Sequence, residues 1–428
     1  MEIDEGAGRR RHCLSPSPRS FLVRAPDDAE RLGVAEQKVT IVGAGPVGLT
    51  LAVLLHRAGI PVTVLEAGSA IAEELRASTF HPPTLDFLDA LGVAAPLVAQ
   101  GLVTPEWQIR LHETGERAVF DLSVLREDTA HPYRLQAEQH KLSHLLLAML
   151  PEGTVRFAAP VVSAVQDARG ATLTLESGER VRAAYAAGCD GARSIVRRAM
   201  DLEFPGDTYP ETTILATTPF PFHEVMPGLS NVNYVWTERP EFSGTFSLLR
   251  VPGKWRASLH TAPDESVEEA LRPEAVERKL QAIHPKPTPY EVPDLRPYRI
   301  HQRIAGDYRK GRLVLAGDSA HLNSPSGGMG MNGGIHDAFE LAETLVAVLS
   351  GADDGLLDRY TRRRRPVAER EIIAQADRNR ARMRERDPGR RRAMLAEMQA
   401  LCADRERLRA HLLRTSMITG LRDAARVE

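Results

Sequence analysis

Cysteine is scarce in this chain of 428 residues: Cys13, Cys189 and Cys402 are the three present, and they lie far apart. That spacing excludes a disulfide framework and a cysteine-based metal site, and it suits a reducing cytoplasm. An excess of charge of one sign is also missing. The formal net charge is −2, so no global basic field draws the chain to nucleic acid or anionic lipid. Long apolar runs are absent too. The nearest, Val39 to Leu55, is broken by glycines and a proline, so no integral membrane segment is expected. What remains is 43% hydrophobic and 26% charged residues, the composition of a globular protein long enough for two or three domains.

Residues 1–37 differ from the rest. Arg9, Arg10 and Arg11 precede Ser15, Pro16, Ser17 and Pro18 with no apolar core after them, which argues against a secretory signal. Asp27 and Asp28 argue against an organellar transit peptide. The stretch reads as a poorly ordered extension.

Lys38 to Glu66 carries the strongest signal. Val39 to Val42 is a short, mostly apolar β-branched run, and Gly43, Gly45 and Gly48 follow in G-x-G-x-x-G spacing. Gly43 permits a tight turn, Gly45 lets backbone approach a pyrophosphate, and Gly48 lets the next helix pack close. A second strand, Pro61 to Leu65, ends at Glu66, an acid about 20 residues on that suits a ribose hydroxyl. An ordinary βαβ turn competes with dinucleotide binding here. Both strands, the helix and the acid in register favour the dinucleotide.

Further along, helices are expected from Thr84 to Leu91 and from Glu138 to Leu150, and a hairpin around Ser177 and Gly178. Residues 205–262 lose helical periodicity and read as sheet: Thr212 to Thr217, Val232 to Trp236, Gly244 to Val251 and Trp255 to His260. Asp264 to Ile283 reads as one helix. A short strand, Arg312 to Leu315, opens a second informative stretch. It runs through Gly317 and Asp318 into the glycine-rich turn Gly327 to Gly334, with a helix from about Ile335 to Leu349. Such a turn lets backbone N–H groups crowd a planar or anionic ligand. From Leu356 onward the chain is helical and charged, and its arginines read as solvated helix faces.

Other candidates keep two readings each. Asp190, in the Cys189-Asp190-Gly191 turn, is a third acid at a strand end or a plain turn residue. Arg76 meets a phosphate or stays solvated. Gln136 reaches a ring edge through its amide or is structural. His81 is catalytic or a core histidine. Tyr234, Trp236, Phe246 and Trp255 line an apolar pocket or fill the sheet core. Arg250 and Arg256 meet a substrate carboxylate or lie at the surface.

Taken in order, Gly43 to Gly48 with Glu66, Gly188 to Gly191, and Gly317 through Asn332 resemble the single-component flavoprotein aromatic hydroxylases, the p-hydroxybenzoate hydroxylase-like family. The resemblance spans about Lys38 to Pro366. It implies an α/β fold: a Rossmann-like FAD-binding domain (38–104, 132–204 and 300–350), an inserted β-sheet substrate domain (105–131 and 205–299) and C-terminal helices (351–428). It implies that Gly43, Gly45 and Gly48 cradle the FAD pyrophosphate, that Glu66 holds the adenosine ribose, and that Arg76 and Gln136 contact the flavin. Asp190 then serves FAD and NAD(P)H, and Asp318 the ribityl or pyrophosphate region. Pro325 lies near the reactive flavin edge, and Gly328, Gly330, Met331 and Asn332 offer backbone donors to its ring.

The sequence departs from the family at Ser324, where a proline is usual, and at Ser319, where an alanine is usual. The implied reaction is hydroxylation of a phenolic or other electron-rich aromatic by NAD(P)H and O2 through a flavin C4a-hydroperoxide. His81, Tyr234 and His260 are the candidates for activating the substrate. The expected partners are a small aromatic substrate and O2, with a homodimer possible and a cytoplasmic setting. Two other classes compete: an FAD-dependent reductase or dehydrogenase that does not use O2, and a non-catalytic flavin-binding module.

Overall fold

The computed structural model describes residues 38–74, 77–261, 265–323 and 327–428. The extension 1–37 lies outside the described residues, as do Arg76 and Pro325 of the expected site and Ser324 beside it.

The hub is Val39–Val42. All four residues are β-branched and buried, and the strand pairs in parallel with Tyr185–Gly188 on one side and Val62–Leu65 on the other. The six-stranded sheet runs Arg309–Lys310, Leu313–Leu315, Tyr185–Gly188, Val39–Val42, Val62–Leu65, Val155–Arg156. Its register levels the strand ends. Val42 lies opposite both Gly188 and Leu65, and Gly188 lies opposite Leu315. Gly43, Glu66, Cys189 and Ala316 therefore leave the sheet at one edge. That is the carboxyl edge, where open α/β sheets take their ligands.

A second sheet of eight strands runs His321–Leu322, Asp294–Ile304, Gly206–Thr218, Lys254–His260, Thr245–Val251, Val232–Trp236, Glu106–Leu111, Arg117–Asp121. The helix Pro273–Ile283 covers one part of it, burying Val276, Leu280 and Ile283 with Phe246 and Trp255. The C-terminal helices Pro388–Ala403 and Arg405–Thr415 cover another, burying Leu395, Leu408 and Leu412 with Trp107, Phe120 and Trp236. Between the large sheets, a small one places Arg134–Gln136 between Thr79–Phe80 and Leu102–Thr104.

Three expectations change. The single helix expected over Asp264 to Ile283 is two, Val267–Ala270 and Pro273–Ile283, because Arg272 before the proline is held extended. Asp264 itself lies outside the described residues. The late helix starts at Met329, not near Ile335, so Gly330, Gly333 and Gly334 are helical. At Gly334 the reason is close packing rather than loop freedom. A Cβ at Gly334 would lie 2.7 Å from Val47 Cγ2 and 3.0 Å from Gly317 Cα. The C-terminal arginines are not all solvated. Arg364 is buried on Asp337 at 2.7 Å, and buried Arg391 donates to the carbonyls of Thr237, Gly244 and Glu385.

Candidate active site

Each glycine of the first turn has its own reason. Gly43 has φ 103°, and a Cβ there would sit 2.4 Å from the Cys189 carbonyl oxygen. A Cβ at Gly48 would lie 2.0 Å from the Gly43 oxygen, so the helix Pro46–Arg57 seats directly on the turn. Gly45 alone faces open space, with nothing within 4 Å of a Cβ. As the N-cap before Pro46 it leaves first-turn N–H groups pointing at that space, the standard setting for a phosphate.

The acids gather around this turn. Glu66 accepts from the N–H of Ala44 at 2.7 Å and of Gly68 at 2.8 Å, which fixes its carboxylate beside the glycines while leaving lone pairs for a hydroxyl. Asp190 accepts from Ile195 N–H at 2.7 Å through one oxygen, while the other is buried without a partner. Burial pushes this carboxyl above the usual carboxylate range. Asp318 sits on the 3-10 turn Gly317–Ser319, near the position a Cβ of Gly330 would take, 3.9 Å from its Oδ1. An open cradle at Gly45, free N–H donors, a carboxylate after three of the four strand ends and an orphaned oxygen on Asp190 fit FAD.

The late helix begins with Gly328 in the left-handed conformation (φ 69°, ψ 34°). Its first-turn N–H groups, including those of Gly330 and Met331, have no intrahelical acceptor. Asn332 is a clamp. Its amide donates to the carbonyls of Thr79 at 2.8 Å and Gly328 at 2.6 Å and accepts from His81 N–H at 2.9 Å. Gln136 is fully buried, with its side-chain amide 3.1 Å from the Thr79 hydroxyl. Asn332 therefore braces the helix start against the small sheet, while the Gln136–Thr79 bond ties two strands of that sheet together.

A small cavity of about 40 Å³ abuts this helix start at Gly327 and Met329. Trp107, Arg134, Tyr234 and, from the C-terminal helices, Met383 and His411 line it. Tyr234 meets Trp107 edge-on at 5.9 Å, and Trp107 stacks on Phe120 at 3.9 Å. His81 lies just behind the wall. Its Nε2 bonds the Gly327 carbonyl at 2.8 Å, so the neutral ring donates there and keeps its Nδ1 lone pair, which is buried without a partner. Burial first and then Arg134 pull its pKa down to about 3, so it is uncharged at neutral pH.

Of the remaining candidates, Trp236, Phe246 and Trp255 are sheet core, at most 2% exposed. His260 bonds Thr213 through Nδ1 and is not among the cavity residues. Arg256 is buried beneath the small sheet, donating to Ser78 at 2.9 Å, and burial lowers its pKa to about 10. Sequence reasoning missed Arg134 and His411. Arg134 had a signal: it stands two residues before Gln136 in an extended run, hence on the same strand face. His411 had none, since only tertiary packing brings its helix to the cavity.

Residues 36–375 match the family described as FAD binding domain. The chain belongs to the flavin-dependent aromatic hydroxylases. It is 37% identical to para-nitrophenol 4-monooxygenase of Pseudomonas sp. strain WBC-3 over 90% of this chain and 96% of that one. It is 35% identical to 6-hydroxy-3-succinoylpyridine 3-monooxygenase of Pseudomonas putida strain S16 over 77% and 84% of the two chains. The crystal structure of p-nitrophenol 4-monooxygenase from Pseudomonas putida DLL-E4 superposes with a TM-score of 0.82 at 34% identity, covering 89% of this chain and 97% of that one. The expected fold class, FAD as cofactor and membership of an aromatic monooxygenase family therefore hold. Among the described residues no helix is long and apolar enough to cross a membrane.

Proposed function

We propose that this hydroxylase acts on a single-ring phenol, with NAD(P)H as transient co-substrate and O2 as oxidant. The observation that carries the reading is the small cavity against Gly327 and Met329, where the late helix turns its free N–H groups outward. Para-nitrophenol and 6-hydroxy-3-succinoylpyridine, which name two of the relatives, are each one six-membered ring bearing an oxygen substituent.

Bound FAD would supply the electron transfer and oxygen activation. The chain supplies the rest. Gly43, Gly45 and Gly48 admit the pyrophosphate, Glu66 and Asp190 accept hydrogen bonds from hydroxyls, and Gly328, Gly330 and Met331 offer N–H donors to the far end of the cofactor. Asn332 and Gln136 hold that end in place. Tyr234 orients the phenol oxygen, and neutral His81 braces Gly327 with an acceptor lone pair in reserve. The roles assigned to Arg76 and Pro325 belong to the same proposal. So does the division into FAD-binding segments (38–104, 132–204, 300–350) and substrate segments (105–131, 205–299), with the addition that the helices of 351–428 close the cavity and exclude water. A cytoplasmic setting and a homodimer complete it, the latter tested by light scattering.

The deciding experiment is a phenol panel on the FAD-loaded protein, following NAD(P)H and O2 consumption, ring hydroxylation and H2O2 release. Hydroxylated product in step with NAD(P)H use is expected. Reduction of an acceptor without oxygen incorporation would instead favour a reductase.

A further inference from the structure

We propose that the cavity selects anionic rings, with Arg134 anchoring a negatively charged oxygen of the substrate. The inference rests on the reading of the cavity as the substrate site. It begins from an imbalance of charge. Arg134 is 3% exposed and lines the cavity, yet no carboxylate among the described residues lies within ion-pair distance of it. Its neighbours are the face of Trp107, 5.0 Å from the guanidinium, and the phenol of Tyr234. Its Nε is buried without an acceptor. A buried guanidinium is costly unless something negative or strongly accepting meets it. Arg364 on Asp337 and Arg391 on three carbonyls obey that rule, whereas Arg110, 4% exposed and also without acceptors at Nε and Nη1, lies outside the cavity lining.

One neighbour, Arg382, adds positive charge, and His411 is neutral. Arg382 also lines the cavity, and His411 presents a buried Nε2 without a partner. Burial, then Arg382, Arg414, Arg134 and Arg378, holds His411 down to about 4. The groups facing the cavity are thus Arg134 and Tyr234 from the sheets, Asn379 and Arg382 from one helix and His411 from another, with His81, Arg378 and Arg414 behind them. No aspartate or glutamate is among the described lining residues. An anionic oxygen supplies the missing counter-charge and accepts from the Arg134 N–H groups. For a phenol, the same field favours loss of the hydroxyl proton to bulk water. The ring then becomes electron-rich without a dedicated base in the site.

The test uses FAD-loaded protein without NAD(P)H, reading binding by perturbation of the flavin spectrum. The probes are two anions, 4-nitrophenolate and benzoate, and two neutral counterparts, 4-nitroanisole and benzamide. The unsubstituted site should bind the anions at least roughly tenfold more tightly. Bound 4-nitrophenol should show its yellow anion band at a pH where the free compound is mostly neutral. Arg134→Met should weaken anion binding roughly ten- to a hundredfold and leave the neutral probes within about threefold. Arg134→Lys should keep part of the preference. Should Arg134→Met fail to fold, Arg382→Gln at the cavity rim should still reduce the anion preference. Equal binding of anions and neutral probes, or a preference that survives Arg134→Met, overturns the proposal and leaves Arg134 as a structural partner of Trp107. Anion selectivity without phenol-driven hydroxylation would sustain it while sinking the hydroxylase reading. Hydroxylation of phenols bound only in neutral form would do the reverse.

Discussion

At the residue scale, the glycine turn separates two kinds of constraint that sequence treats alike. Gly43→Ala meets a positive φ and the Cys189 oxygen at 2.4 Å, so the fold itself should lose stability, by about 1–2 kcal/mol from conformation alone. Gly45→Ala meets open space, so thermal unfolding of the apoprotein should barely move while FAD affinity falls. Parallel melting curves and FAD titrations distinguish the two, and a stability loss at Gly45 would contradict the assignment. The buried histidines make a second prediction. His81 is lowered to about 3 and His411 to about 4, and His336 is held well below its ordinary value by burial and Arg364. The unfolded chain binds these protons near pH 6.5 and the native one does not. Stability should therefore be full above about pH 6.5 and fall as pH drops toward 4, by on the order of 1.4 kcal/mol per pH unit for each histidine. Urea unfolding at several pH values checks this, and His411→Asn should flatten the slope. The turn glycines and Glu66 were legible because their reasons are local. Arg134 was legible only by strand alternation from Gln136, and the charge imbalance around it only in three dimensions.

At the element scale, the late helix is where a local reading fails. Five glycines between 327 and 334 look like a loop, but only Gly327 and Gly328 carry positive φ. Gly334 is glycine because Val47 and Gly317 press against the helix there. The partner residues lie in two distant segments, so no window of sequence around Gly334 contains the cause. Gly334→Ala should push the late helix off the helix Pro46–Arg57 and destabilise the protein by about 1–3 kcal/mol. Adding Val47→Ala should recover part of that loss and not all of it, because Gly317 Cα remains 3.0 Å from the new methyl. A double-mutant cycle of chemical denaturation measures the recovery. Strand positions, by contrast, were read well: Val232–Trp236 and the core of the neighbouring strands follow from β-branched and aromatic residues bounded by turns.

At the scale of the whole molecule, the C-terminal helices line the cavity rather than standing apart as an appendage. Their charge made them look solvated, yet Asp128, 5% exposed, receives Arg409 at 2.8 and 2.6 Å and Arg422 at 2.7 Å. That ion cluster fastens the last two helices to the connection between the large sheet and the small one. Asp128→Asn should leave FAD binding intact and loosen the wall that carries His411. Under the proposed reaction, the expected result is a larger share of NAD(P)H consumed as H2O2, read by a peroxide assay beside product yield. Unchanged coupling would mean that the helices cover the cavity without the clamp. Charge pattern alone gave no sign of this, because an arginine on a helix looks the same whether it faces water or a buried carboxylate.

The levelled parallel register has a consequence for how the protein is made. Val39–Val42 is synthesised well before its partners, and the edge it shares with Tyr185–Gly188 and Leu313–Leu315 needs residues up to Asp318 before its acids stand together. The nascent chain must carry an incomplete sheet from Val39 until Leu315 is made. Its apolar strands stay unprotected until the late segment arrives, which makes this stage the one most exposed to aggregation and most dependent on chaperones.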